Sequence, residues 1–229
     1  MTAVTRLPAR IRLARWVLRP LFRGIFYLLS NVSISGVEHI PKEGAYLIAV
    51  NHVSLYDPPL VMAFWPSTAE AVGASDVWQR PGQSLLVRWY GVIPVRRYEY
   101  DRSALQAIQT ALDAGRPLMI MPEGGRSHAP GMRRAEPGVA YIVEKTDIPV
   151  VPVGVTGTTD DFFQRAIRGG RPSVHLAIGE PLYLPPVDGK GEARRLARQR
   201  NADLIMTHIA ALLPIEYRGV YADPAKLAA

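Results

Sequence analysis

The sequence predicts an α/β fold, with strands paired mainly in parallel in a sheet that helices cover on both faces. Three observations predict it. Short apolar runs alternate with helix-period segments along the chain. Gly, Pro and Asp punctuate the junctions between them. Of the 229 residues, 48% are apolar, enough for a real core. The length suits one domain of good size, or one domain with a terminal appendage.

The elements follow in order. Residues 9–30 read as a basic amphipathic helix: Arg12, Arg15, Arg19 and Arg23 recur every three or four positions, and Val17, Leu18, Leu21, Phe22, Ile25, Leu28 and Leu29 cover most of the other side. Pro20 is a candidate kink. Two readings fit this pattern. The helix can lie in a bilayer interface, apolar face down and arginines among lipid phosphates, or it can pack on the core with its arginines in water. Residues 1–30 are accordingly set apart from a main domain at 31–229.

Residues 32–34 read as a short strand and 45–50 as a buried one, followed directly by Asn51-His52. A helix is expected at 58–64, a small apolar strand at 69–74, a helix at 84–90 and a strand at 91–95 that ends in Arg96-Arg97. Asp101 or Ser103 caps a helix through Leu112, and Gly115 stops it. A strand at 117–121 runs into Pro122-Glu123-Gly124-Gly125-Arg126-Ser127. A helix at 138–145, a strand at 149–155 closed by Thr156-Gly157-Thr158, a late strand at 174–178 and a long helix at 192–213 complete the chain. Each polar motif comes just after an apolar strand. In parallel sheets those carboxyl ends share one edge, where ligands usually bind, so His52, Arg97, Glu123 and Arg126 can meet in one cleft.

Composition narrows the chemistry. Lys and Arg outnumber Asp and Glu by 27 to 20, with pI near 9.9, which favours anionic partners without choosing among nucleic acid, phosphorylated small molecules and acidic lipid surfaces. There is no cysteine, so thiolate catalysis, disulfides and cysteine-ligated zinc are excluded. No uninterrupted apolar span of about 20 residues exists, so no transmembrane helix is expected. No small-residue cleavage site follows a clean apolar stretch, so no signal peptide is expected either. Neither a Gly-x-Gly-x-x-Gly pattern nor a Walker phosphate loop is present, which counts against nucleotide chemistry.

The segment Asn51-His52-Val53-Ser54-Leu55-Tyr56-Asp57 is the most informative. Histidine is the side chain best suited to take a proton near neutral pH, and a carboxylate beside it fixes its tautomer and raises its basicity. Positions five apart lie about 140° around an α-helix, so one helical face cannot bring the two together. Asp57 also precedes Pro58, which disfavours helical dihedrals there. A turn is expected, with Asp57 at the helix boundary. Asp57 is then either an orienting carboxylate or an ordinary helix N-cap, and His52 either a base or a satisfied histidine at a strand end. At the end of the 91–95 strand, Arg96 and Arg97 can grip a phosphate, or form a solvated basic edge. In Pro122-Glu123-Gly124-Gly125-Arg126-Ser127 the glycines let backbone approach a ligand, Glu123 can orient a donor and Arg126 can bind phosphate; the plain alternative is a turn that needs glycine. Val151-Pro152-Val153-Gly154-Val155 reads as a core strand. His39, His128, His175 and His208 lack a fixed-spacing partner, though His128 lies near the glycine pair.

Asn-His-x-x-x-x-Asp-Pro, Gly-x-Ile-Pro-Val-Arg-Arg, Pro-Glu-Gly-Gly-Arg-Ser and Val-Pro-Val-Gly-Val, in this order, resemble the glycerolipid acyltransferase family, of the 1-acyl-sn-glycerol-3-phosphate acyltransferase type, over roughly residues 31–185. Two departures stand out. The family's third motif commonly reads Glu-Gly-Thr-Arg-Ser, whereas Gly125 takes the threonine's place here. An acidic residue often precedes the arginine of the second motif, whereas Arg96 stands there.

The resemblance implies an α/β domain with a mixed, mainly parallel sheet flanked by helices, and an N-terminal amphipathic helical segment that docks on an anionic membrane surface. The protein would sit peripherally, on the cytoplasmic side. The reaction implied is acyl transfer from a thioester, acyl-CoA or acyl carrier protein, to the free hydroxyl of a lysophospholipid, foremost 1-acylglycerol 3-phosphate. His52 and Asp57 are the implied catalytic pair. Arg97, Glu123, Gly124, Gly125 and Arg126 are the implied substrate-binding residues, with Arg96 assisting. Backbone amides near Gly124 or Gly125 are candidates for holding the oxyanion. A Ser54 acyl-enzyme stays formally open beside direct attack, although Ser54 reads better as a turn residue. No metal or cofactor is expected, and no nucleic acid. The alternatives are another lysolipid or glycolipid acceptor, or a non-catalytic basic membrane-binding protein.

Overall fold

In the computed structural model, residues 7–97 and 99–223 are described. The first six residues of the predicted terminal segment and the last six of the predicted main domain lie outside them. The elements run α1 (Ala9–Leu29), β1 (Asn31–Ser35), β2 (Leu47–Val50), α2 (Asp57–Phe64), β3 (Glu70–Ala74), α3 (Gln83–Tyr90), β4 (Ile93–Val95), α4 (Arg102–Asp113), β5 (Leu118–Ile120), α5 (Gly138–Thr146), β6 (Val150–Thr156), α6 (Phe162–Ile167), β7 (Ser173–Ile178) and α7 (Gly191–Ala211), with short 3₁₀ turns between some of them.

The seven strands form one sheet in the order β1-β7-β6-β2-β5-β3-β4. Every neighbouring pair is parallel except β6 with β7, so the sheet is mixed and mainly parallel. On β2 the pleat sends Leu47 and Ala49 to one face and Ile48 and Val50 to the other. The first face packs against α4, α5 and α7 through Ile108, Val139, Val143, Ile205 and Ile209. The second packs against α1 and α2 through Phe26, Leu60, Val61 and Phe64. A strand buried on both faces must be apolar throughout, which explains the unbroken Leu-Ile-Ala-Val run.

Three of the four recurring arginines of α1 are placed differently from both readings of its sequence, while Arg12 is exposed. Arg15 is buried, donating to Glu70 at 2.6 Å and to the Tyr90 carbonyl at 2.8 Å. Arg19 donates to the carbonyls of Trp65 and Pro66, and Arg23 to that of Ala63 at 2.8 Å. Those carbonyls end α2, where a cation satisfies orphan acceptors and complements the helix dipole. The outward side of α1 is apolar instead: Leu13, Trp16 and Leu28 are 63%, 75% and 76% exposed, and Val17, Leu21 and Tyr27 lie open beside them. The helix runs unbroken through Pro20. Among the described residues no helix is long and apolar enough to cross a membrane.

Candidate functional site

Three loops meet at the carboxyl ends of β2, β5 and β6. Asn51, directly after β2, is fully buried and clamps the edge of β6: its amide donates to the Val155 carbonyl at 3.0 Å and its oxygen accepts the Val155 N–H at 2.7 Å. The chain then turns back on itself. Asp57 Oδ2 accepts the N–H groups of Val53 at 2.7 Å and Ser54 at 2.8 Å, and lies 3.0 Å from His52 Nδ1. Its other oxygen accepts the Thr158 hydroxyl from the loop after β6, and that of Ser54 at 3.4 Å. Asp57 is fully buried. It opens α2, yet its carboxylate reaches backwards into the turn and caps no amide of the helix.

His52 is held from both sides of its peptide. Its N–H donates to Glu123 Oε1 at 2.7 Å, and its carbonyl accepts the Ser127 N–H at 2.8 Å. Its side chain is 16% exposed. A carboxylate at Nδ1 keeps the proton there and leaves Nε2 as the basic nitrogen; among the described residues no group bonds to it. Ser54 is fully buried, and its hydroxyl accepts the Tyr56 N–H at 3.1 Å. A serine so enclosed has no path to an acyl donor.

The sequence grouped Glu123 with substrate contacts. The structure turns its carboxylate inward: the second oxygen accepts the Arg133 N–H at 2.7 Å, and the residue is 2% exposed. Burial pushes its carboxyl up to about 7 against the two backbone donors, which favour the charged form, and the nearby charge of Asp57 adds to the rise. Glu123 therefore braces the backbone under His52. Gly124 has φ +65°, a conformation glycine accepts freely, and its N–H is donated to the Met121 carbonyl at 3.1 Å. The Gly125 N–H bonds to no group among the described residues. Arg133, which sequence reasoning did not single out, places a guanidinium nitrogen 3.0 Å from where a Cβ on residue 125 would stand.

The predicted cations divide into two groups. Arg126 stays with the His52 cluster, its Nη1 3.7 Å from Asp160 Oδ1 in the loop after β6. His128 Nδ1 lies 2.9 Å from the other oxygen of Asp160. Arg96 and Arg97 follow β4, three strand spacings from β2 in the sheet order, roughly 14 Å away. Arg96 is committed locally, 3.4 Å from Glu99 and 3.5 Å from Asp101. Arg97 is exposed at the same sheet edge. Thr158 and Asp160 gave no signal in the sequence beyond their place after a strand. Among the described residues no group of three or more His, Asp or Glu side chains is placed to hold a metal ion.

The family model described as Acyltransferase matches residues 31–156. The chain is 28% identical over 209 residues to the lyso-ornithine lipid O-acyltransferase of Pseudomonas aeruginosa, covering 84% of this chain and 78% of that one. It is 27% identical over 165 residues to a 1-acyl-sn-glycerol-3-phosphate acyltransferase of Helicobacter pylori, covering 70% and 68%. Among solved structures, the 1-acyl-sn-glycerophosphate acyltransferase PlsC of Thermotoga maritima superposes with a TM-score of 0.59 at 25% identity, over 88% of this chain and 83% of that one.

Proposed function

The chain belongs to the acyltransferase family, and from that premise we propose that it moves a fatty acyl chain from a coenzyme A or carrier-protein thioester to the free hydroxyl of a lysolipid. The observation that carries this reading is the 3.0 Å approach of Asp57 to His52 Nδ1, which leaves Nε2 as a base. In the proposed step His52 takes the proton of the acceptor hydroxyl as its oxygen attacks the thioester carbon. The new C–O bond forms, the carbonyl π electrons move to oxygen, and the Gly125 N–H holds the resulting oxyanion. Collapse breaks the C–S bond, and His52 returns the proton to the leaving sulfur. Asp57 keeps the imidazole oriented and stabilises its charged form throughout.

Arg126 is the proposed seat of the acceptor's anionic group, since it is the predicted cation that stays beside His52; Arg97, exposed at the same sheet edge, is proposed as a second. The relatives carry names with two different acceptors, a lyso-ornithine lipid and 1-acylglycerol 3-phosphate. Both are lysolipids with an anionic group near a free hydroxyl. The outward apolar side of α1, with Arg15, Arg19 and Arg23 already engaged by the protein, supports peripheral docking with that side among the lipid chains.

Purified protein offered acyl-CoA or acyl carrier protein, with a panel of lysolipids, tests the reading. Free thiol should appear only when a suitable lysolipid is present, and the product should gain the mass of one acyl chain. A non-catalytic membrane binder would float with vesicles and release no thiol with any acceptor.

A further inference from the structure

Asp160 is an acid at a site expected to hold an anion. It lies two residues beyond Thr158, whose hydroxyl bonds Asp57, so it belongs to the loop that completes the His52 site. One of its oxygens lies 3.7 Å from Arg126 and the other 2.9 Å from His128. Contacts on both sides hold this arrangement in place. His128 adopts φ +65°, a costly region for a residue with a side chain, while its N–H is held by the Val53 carbonyl at 3.0 Å. On the other side Arg165 fixes the Asp160 loop through the Gly157 carbonyl at 3.1 Å and the Thr159 hydroxyl at 2.8 Å. Burial and, after it, the charge of Asp160 push the Tyr56 phenol above its ordinary value.

A phosphate monoester carries close to two negative charges near neutral pH. Bound to Arg126, it would sit next to the Asp160 carboxylate, and repulsion would oppose much of the guanidinium's attraction. An acceptor that carries an anion and an ammonium meets no such conflict: the anion takes Arg126 and the ammonium takes Asp160. Asp160 is half-exposed, 44% at its side chain, and a carboxylate has about four acceptor sites, so it can receive an ammonium while keeping its neighbours.

Resting on the acyl-transfer reading, we propose that Asp160 is a specificity-determining residue that forms a cation subsite beside Arg126 and selects a zwitterionic lysolipid, bearing a carboxylate and an ammonium, over a phosphate monoester. The ornithine head group has this charge pattern, with a carboxylate at one end and an amine at the other.

The test measures kcat/KM of thiol release for wild type, Asp160→Asn and Asp160→Glu. Three acceptors are used: lyso-ornithine lipid, the same lipid with its side-chain amine acetylated, and 1-acylglycerol 3-phosphate. Wild type should prefer the first. Asp160→Asn should lose about tenfold on it, the effect of one charged hydrogen bond, and should gain on the phosphate acceptor. Asp160→Glu should keep the wild-type preference. Acetylating the amine should remove the loss in Asp160→Asn and replace it with a gain, as on the phosphate acceptor, because the carboxylate left on Arg126 then meets only the repulsion of Asp160. A loop that merely loosens would lower all three acceptors together. An unchanged ratio between zwitterionic and phosphate acceptors in Asp160→Asn overturns the proposal and leaves acyl transfer standing. No thiol release with any acceptor removes the reading beneath it, and the proposal with it.

Discussion

Asp57 Oδ2 serves three donors at once: it lies 3.0 Å from His52 Nδ1 and accepts the backbone N–H groups of Val53 and Ser54 at 2.7 and 2.8 Å. The same atom that orients the imidazole therefore also folds the turn that delivers it. Folding and chemistry share one carboxylate, and this explains how residues five apart meet without lying on a helical face.

Asp57→Asn separates the two roles in part. An amide oxygen can still accept one of the donors, but it carries no charge to stabilise the imidazolium. The expected outcome is a kcat reduced by about 10²–10⁴-fold, with the protein still folded by circular dichroism. A kcat within a few-fold of wild type would show that His52 works without the carboxylate.

Thr158 extends this arrangement to the loop after β6. Thr158→Val removes the hydroxyl that Asp57 Oδ1 accepts and keeps the shape. A hydrogen bond to a charged group is worth about 1.5–3 kcal/mol, so kcat should fall roughly 10- to 100-fold, with KM little changed, and Thr158→Ser should restore it. Loss through KM alone, or no rescue by serine, would assign Thr158 to packing instead.

The sheet and the turn that ends at Asp57 were legible because each rests on local rules; the pairing of Asp57 with His52 was implied only by the resemblance. Apolar runs of strand length mark β1 to β7, and Asp-Pro after a histidine-bearing turn marks the start of α2. What stayed hidden depends on distant segments. Glu123 looks like a ligand-facing acid after a strand; only the fold shows both its oxygens occupied by the amides of His52 and Arg133. Arg15, Arg19 and Arg23 look like a solvent or lipid face; only the packing of α1 against α2, α3 and β3 shows them answering carbonyls and Glu70. The short helix α6 was not foreseen, because its few buried side chains, Phe162 and Ala166, give too little period to read. Asp160 gained meaning only when Arg126 and His128 were seen on its two oxygens.

Glu123 makes stability depend on pH. Its carboxyl is pushed up to about 7 in the fold, from an ordinary value of 4.5. The folded state therefore holds the proton more tightly than the unfolded chain. Its contribution is fully present below about 4.5 and is lost as pH rises through about 7. Denaturant unfolding of wild type and Glu123→Gln at several pH values should show their stability difference changing across that window, with wild type losing ground as pH rises. A pH-independent difference would contradict this placement of Glu123. Glu123→Gln also leaves one backbone N–H without its acceptor, which should cost about 1–3 kcal/mol.

The outward side of α1 predicts membrane affinity. Replacing Trp16 and Leu28 by glutamate removes two large apolar side chains that touch little of the protein. Each is worth roughly 1.5–3 kcal/mol of burial, so vesicle flotation should weaken by at least about 100-fold while a short-chain, micelle-free acceptor is still acylated. Undiminished flotation would place the membrane contact elsewhere.

The most direct test of the account is the rate of acyl transfer by folded His52→Ala. The account predicts a fall in kcat of about 10²–10⁴-fold, the usual contribution of a positioned base, with thermal unfolding close to wild type. Transfer near the wild-type rate in that variant would contradict the claim that the imidazole held by Asp57 takes the acceptor's proton.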